Sequence, residues 1–141
     1  MPRGSQVSQV KIYEVSRVYG SDNVCGVLRV SVRPFSFLGD VVVESGEVRG
    51  VGSVARSVLV VPALVGSTVG PYVLYALGKR GLAPKALITR SIDPTLVAGC
   101  VLANVSLYRL VSNAVDFNEL KALEGLDACV EDNKLRVGLL R

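Results

Sequence analysis

Val58-Leu59-Val60-Val61-Pro62-Ala63-Leu64-Val65-Gly66-Ser67-Thr68-Val69-Gly70-Pro71-Tyr72 decides the fold. The stretch begins as a run of β-branched and apolar residues, the pattern of a buried strand. Past Gly66-Ser67-Thr68 the spacing turns helical. Val69, Tyr72, Val73, Ala76 and Leu77 follow i, i+3, i+4, i+7, i+8, one stripe facing a core. This predicts a strand over 58–65 and a helix over 68–80. A small hydroxyl residue, Ser67, stands at the handover, where free backbone N–H groups and the helix dipole favour negative charge. Gly66, having no side chain, lets a ligand approach the backbone closely. Two roles fit. Ser67 or Thr68 caps the helix, or Ser67 carries chemistry while the Thr68 and Val69 N–H groups receive an anion.

Outward from this motif, Gly81 matches a left-handed helix stop, and Ala83-Pro84 opens a strand over Lys85 to Thr89. Strand, helix and strand make a β-α-β unit with parallel strands. Asp93-Pro94 reads as a helix cap followed by a first helical position, with that helix ending by Gly99 and strand resuming over 101–105. Asp116 or Asn118 caps a further short helix to Leu123, and residues 128–130 and 135–137 form a terminal hairpin. Upstream, Val10 to Val18 and Gly26 to Val32 alternate as half-exposed strands around a Gly20-Ser21-Asp22-Asn23 turn. Glu44-Ser45-Gly46-Glu47 is a turn before a short strand at Val48, and residues 1–8 read as a loose terminus. The expectation is one α/β domain over residues 1–141, rich in strands, with one or two core helices.

Composition narrows what such a domain does. Half the 141 residues are hydrophobic and 20% are charged, a globular balance. The net charge of +4 invites nucleic acid, but the basic residues are scattered and Lys79-Arg80 is their only adjacent pair. No nucleic-acid partner is expected. From Ser57 to Gly78 no residue is charged, yet Pro62, Gly66, Gly70 and Pro71 interrupt the run, which argues against a membrane span.

Histidine is absent, which excludes Ser-His-Asp and Cys-His nucleophile systems within this chain. Cys25, Cys100 and Cys129 form no C-x-x-C pair and each sits among apolar neighbours. They read as buried small hydrophobes, with no metal site. The odd count, and no signal peptide, point to a reducing cytoplasm. Arg33-Pro34-Phe35-Ser36-Phe37-Leu38-Gly39-Asp40 is irregular: either a loop pinned by its aromatics, or one that carries Ser36, Gly39 and Asp40 to a site. Few carboxylates lie near Ser67. The catalytic equipment is too sparse to work alone and implies a partner.

Four segments in order carry a family resemblance: Ser36-Phe37-Leu38-Gly39-Asp40, Glu44-Ser45-Gly46-Glu47-Val48, Pro62 with Gly66-Ser67-Thr68-Val69-Gly70, and Gly81-Leu82-Ala83-Pro84-Lys85-Ala86-Leu87-Ile88. Together they resemble the small-subunit family of aconitase X, in which the order runs S-F-W-G-G, E-T-G-x-[IV], P-x-G-x-G-S-[ST], G-x-A-P-x-A-I. Leu38 and Asp40 depart from the first motif, and Ala63-Leu64-Val65 replace the residues usual before Gly66. The resemblance implies a swivelling β/β/α domain like the mobile domain of aconitases. It implies a hydro-lyase subunit, active only as a heterodimer with a large subunit that carries a [4Fe-4S] cluster not ligated by this chain. It makes Ser67 the proton acceptor acting on a phosphorylated hydroxy acid, with Gly66, Thr68, Ser36 and Gly39 as substrate-binding residues. The alternatives are another aconitase X-type enzyme, such as a cis-3-hydroxyproline dehydratase, and a non-catalytic swivelling interaction domain.

Overall fold

The computed structural model describes residues 10–34, 36–64 and 70–138. The expected loose terminus over 1–8 lies outside them, as do Gly66, Ser67, Thr68 and Val69. Among the described residues, ten strands and four helices follow in chain order: β1 (Lys11–Tyr19), β2 (Asn23–Val30), α1 (Phe37–Asp40), β3 (Val41–Val42), β4 (Glu47–Val48), β5 (Gly52–Ser53), β6 (Ser57–Val61), α2 (Gly70–Lys79), β7 (Ala86–Thr89), α3 (Pro94–Ala103), β8 (Ser106–Leu110), α4 (Phe117–Ala122), β9 (Asp127–Glu131) and β10 (Lys134–Val137).

Seven strands close a barrel in the order β1-β10-β9-β2-β6-β7-β8, and β3-β4-β5 form a separate small sheet. β2, β6, β7 and β8 run parallel, whereas β9, β10 and β1 complete the wall with antiparallel pairs. Every residue of β6 is buried, as a parallel strand covered on both faces must be. Its side chains alternate with period two. Val58 and Val60 point into the barrel with Leu28, Ile88 and Tyr108, while Leu59 and Val61 pack under the helices with Leu74, Leu77 and Leu107.

The β6-α2-β7 unit therefore forms as expected, although β6 stops at Val61, where Pro62 brings no N–H to continue the ladder. The buried face of α2 differs from the predicted stripe. Leu74 and Leu77 are buried, while Tyr72 is 69% exposed. The reason lies in α3. A Cβ at Gly99 would stand 3.1 Å from Pro71 Cα, and one at Gly78 would stand 3.2 Å from the Ala103 carbonyl oxygen. Two helices at this separation rotate their small residues toward each other and turn Tyr72 outward. The same contact corrects the end of α3, which passes through Gly99 to Ala103 and stops at Asn104 in the left-handed conformation, φ 58°. Strand then resumes at Ser106, not at 101. Asp93 caps α3 as predicted, its carboxylate accepting the Leu96 N–H at 2.8 Å, and Asp116 rather than Asn118 caps α4. No helix among the described residues is long and apolar enough to cross a membrane.

The cysteines bring the largest correction. Cys25 and Cys129 face each other across the antiparallel β2/β9 pair, Cα atoms 4.0 Å apart, and are joined in a disulfide. Two of the three expected small hydrophobes are thus one cross-link, and only Cys100 is a free buried thiol. Count and local context missed the pair because register across 104 residues brings the two together. A bridge closing so long a loop restricts the unfolded chain strongly, with about 2–4 kcal/mol typical. Reduction of the folded protein, or the double change Cys25→Ser and Cys129→Ser, is expected to lower the urea midpoint by that much stability. Equilibrium unfolding with and without reductant measures it.

Candidate active site

In sheets with parallel strands, ligands gather beyond the carboxyl ends of the strands. Here those ends belong to β2, β6, β7 and β8, and the segments after β2 and β6 carry three of the four sequence motifs, while the fourth leads into β7. β6 leads through Pro62 toward the Gly66-Ser67-Thr68 motif, which lies outside the described residues, and α2 begins at Gly70 directly after it. Thr89 at the end of β7 is fully buried and donates its hydroxyl to the Pro62 carbonyl at 3.4 Å. That contact fixes the chain where it departs for Ser67.

The segment after β2 supplies the second motif. Ser31 is buried, its N–H bonded to the Val60 carbonyl at 3.0 Å and its hydroxyl to the Arg33 carbonyl at 2.6 Å. Ser36 then starts the single turn α1. The Asp40 carboxylate accepts the Ser36 N–H at 2.9 Å, and the Ser36 hydroxyl accepts the Gly39 N–H at 3.4 Å. This reciprocal arrangement is a capping motif that holds a four-residue turn too short to persist alone. The turn packs against α2, the helix that follows the Ser67 motif in the chain. A Cβ at Gly39 would meet no protein atom within 4 Å. Crowding within this chain therefore does not require glycine there. A cleft of about 360 Å³ opens between this turn and the β3-β4-β5 sheet, lined by Gly39, Asp40, Val42, Glu47 and Arg49.

Two features escaped sequence reasoning. The first is Arg90, just past β7. Its Nη2 donates to the carbonyls of Val115 at 2.6 Å and Asn113 at 3.3 Å, and its guanidinium lies 4.7 Å from the Phe117 ring centre. It fastens the β8–α4 loop to the same end of the barrel. The second is the pair Lys121 and Glu124. β9 covers only Asn23–Val27 of β2. Beyond that point the chain before β9 takes over: Leu28 N–H donates to Leu126 O at 2.9 Å and Gly125 N–H to Leu28 O at 3.0 Å. At Val30 side chains finish the ladder. Glu124 Oε2 accepts the Val30 N–H at 2.9 Å, and Lys121 Nζ donates to the Val30 carbonyl at 2.8 Å. The two side chains pair at 2.9 Å, and Lys121 also reaches Gly50 O at 3.2 Å, linking the small sheet to the barrel. An i, i+3 pair is visible in sequence. Its partners, 91 and 71 residues away from Lys121, are not.

The donor set does not suit a metal or an iron–sulfur cluster. Two sulfurs are bonded to each other, and burial pushes the Cys100 thiol up to about 12, which keeps it protonated. Among the described residues no three His, Cys, Asp or Glu side chains converge.

The sequence profile of the aconitase X swivel domain matches residues 3–134. The chain belongs to that family. Its relatives include the phosphomevalonate dehydratase small subunit of Pyrococcus horikoshii, 40% identical over 103 residues, which cover 68% of this chain and 73% of that protein. The phosphomevalonate dehydratase small subunit of Thermococcus gammatolerans is 34% identical over 119 residues, 79% of this chain and 87% of that one. The crystal structure of Thermococcus kodakaraensis aconitase X in its holo-form superposes with a TM-score of 0.74 at 28% identity, over 90% of this chain and 98% of that one. The swivel fold expected from the four motifs is thus the fold observed.

In this aconitase X swivel domain the Lys121–Glu124 pair sets where β2 releases the Ser36–Asp40 turn. Glu124→Ala leaves the buried Val30 N–H without a partner and is expected to cost about 1–3 kcal/mol. Glu124→Gln keeps an acceptor and should cost less. Urea midpoints rank the variants, and amide exchange should speed up at Val30 in the alanine variant first.

Proposed function

We propose that this chain is the small subunit of a phosphomevalonate dehydratase, and that Ser67 is its base. The observation that carries the reading is the family match over residues 3–134, together with relatives that bear this name. The reaction removes water from (R)-5-phosphomevalonate to give trans-anhydromevalonate 5-phosphate, a step of an archaeal isoprenoid (mevalonate) route. A C–H bond next to the carboxylate and a C–O bond on the neighbouring carbon both break. The base takes the proton, the hydroxyl leaves with the C–O electron pair, and that proton and hydroxide together make up the water released.

Such a proton is weakly acidic, and a neutral serine is a poor base in water. An alkoxide becomes competent when donors and positive charge stabilise it and bulk water is kept away. Several features support this role for Ser67. It precedes by three residues the start of α2, and a helix N-terminus favours negative charge. No acidic residue occupies the first turn of α2 to oppose an alkoxide. Histidine, the usual alternative base, is absent. The substrate carries a carboxylate and a phosphate, and the chain has a net charge of +4. Gly66, Thr68, Ser36 and Gly39 are assigned to substrate contact in this reading.

A large subunit is required. The relatives are named as small subunits, and few carboxylates stand near Ser67 in the sequence. The [4Fe-4S] cluster belongs to that partner in this reading, because the thiols here do not fit it. A cytoplasmic location fits a metabolic enzyme. The disulfide does not oppose it, since intracellular proteins of hyperthermophilic archaea are rich in disulfides.

Ser67→Ala in the reconstituted two-subunit enzyme is the decisive variant. Assembly should persist, stability should fall by no more than about 1 kcal/mol for a lost cap, and kcat should fall by about 10²–10⁴-fold. A kcat near that of the wild type would remove Ser67 from catalysis. Turnover of cis-3-hydroxyproline but not of (R)-5-phosphomevalonate would reassign the substrate.

A further inference from the structure

We infer that the outward face of the α2/α3 layer, carrying Tyr72, Tyr75, Val101 and Leu102, is the surface on which the large subunit docks. The inference rests on the two-subunit reading above. It begins from the composition of the two helices. α3 has no charged residue from Pro94 to Ala103, and α2 has only Lys79. A helix apolar on all sides belongs in an interior. Yet Tyr72 is 69% exposed, Leu102 57%, Val101 46% and Tyr75 41%. Surface helices of this length ordinarily turn charges outward, and these two turn aromatic and branched side chains.

The two helices present those residues on one layer. Pro71 lies against Gly99 and Gly78 against Ala103, so both helices run in the same direction with their small residues sealed between them. The layer cannot bury its outer residues by rotating, because Leu74, Leu77, Leu96 and Cys100 already fill its underside. Only a partner seated on the layer would bury them.

Position identifies which partner. Tyr72 is five residues from Ser67, so their Cα atoms are at most about 18 Å apart. Each helix is ten residues long, about 15 Å. A standard interface covers about 800 Å² on each partner, a patch about 30 Å across. A chain that closes over Ser67 to exclude water from the base therefore extends over Tyr72 and along the layer. A second copy of this chain seated there would instead shut Ser67 away from the subunit that completes the site. Tyrosine suits the centre of such an interface, since it buries a large rigid surface at small conformational cost.

Tyr72→Glu and Leu102→Lys test this in the full-length chain. Each places the charge that its end of the helix favours, so folding is preserved, and an unchanged melting temperature verifies it. The Kd for the purified large subunit, read by calorimetry, should rise at least 30-fold for the double variant. Ile12→Lys, an equally exposed position on β1, should leave it unchanged. Turnover of the double variant should recover when the large subunit is in excess, which a defect in catalysis would not do. Unchanged Kd in the double variant overturns the assignment. So does a small-subunit dimer, seen by sedimentation, that the double variant abolishes while Kd stays constant. If the wild-type chain fails to bind the large subunit at all, the two-subunit reading falls and the docking face falls with it. If only Ser67→Ala turnover is normal, the base assignment fails and the docking face stands.

Discussion

Closure of the barrel rests on one strand that divides its length between two neighbours. Lys11 to Glu14 of β1 pair with β10, and Val15 to Tyr19 pair with β8. Without that division the parallel half of the sheet would end in an open edge at β8 and the hairpin half in another at β10. Open edges carry unpaired N–H and C=O groups and invite pairing with other chains. The far end of β1 is fastened to β8 beyond the ladder as well. Ser21 N–H donates to the Ser106 hydroxyl at 3.0 Å, and the Tyr108 hydroxyl donates to the Ser21 carbonyl. Gly20, at φ 100°, makes room for this, because a Cβ there would stand 2.5 Å from Ser106 Oγ.

What the sequence reveals and conceals follows from the range of the interactions concerned. The β6-α2-β7 unit is legible because each element announces itself locally: a β-branched run, a glycine-marked handover, a stop at Gly81 in the left-handed conformation. The caps Asp93 and Asp116 are legible for the same reason. The end of α3 is not. Gly99 carries the local signature of a helix stop, whereas its reason for being glycine is Pro71 on another helix. Tyr72 misleads in a related way. Its spacing places it on a core stripe, but the close approach of two helices turns that stripe by part of a turn. The Cys25–Cys129 bond and the Lys121–Glu124 ladder extension depend on register across most of the chain, and nothing near either residue signals them. For the site, the single-turn helix within the Ser36–Asp40 motif packs against α2, a contact its sequence does not announce. The role of Ser36 as cap is legible only once the Gly39 and Asp40 contacts are seen.

The two ends of β2 divide labour. Cys25, near its start, is locked covalently to β9, while Val30, at its finish, is held by the side chains of Lys121 and Glu124. The five residue steps between them span about 17 Å of strand. One end of the barrel is thereby stapled, and the other, where the motifs gather, is held by contacts that side chains can make and release. Such a gradient suits a domain whose active face must meet another subunit while its body stays rigid.

The shared strand β1 also has a consequence during biosynthesis. It is made before the other nine strands, yet its partners β8 and β10 come from the last third of the chain. Pairings this distant in sequence carry a large loop-closure cost and form late. As the chain leaves the ribosome, the β6-α2-β7 core has all its residues available while β1 still waits with both edges bare. The finished barrel is an insulated structure, but its precursor is an exposed one. The polar side chains along β1 (Lys11, Glu14, Ser16, Arg17) are of the kind that discourages an exposed strand from pairing with another chain until the terminal hairpin arrives.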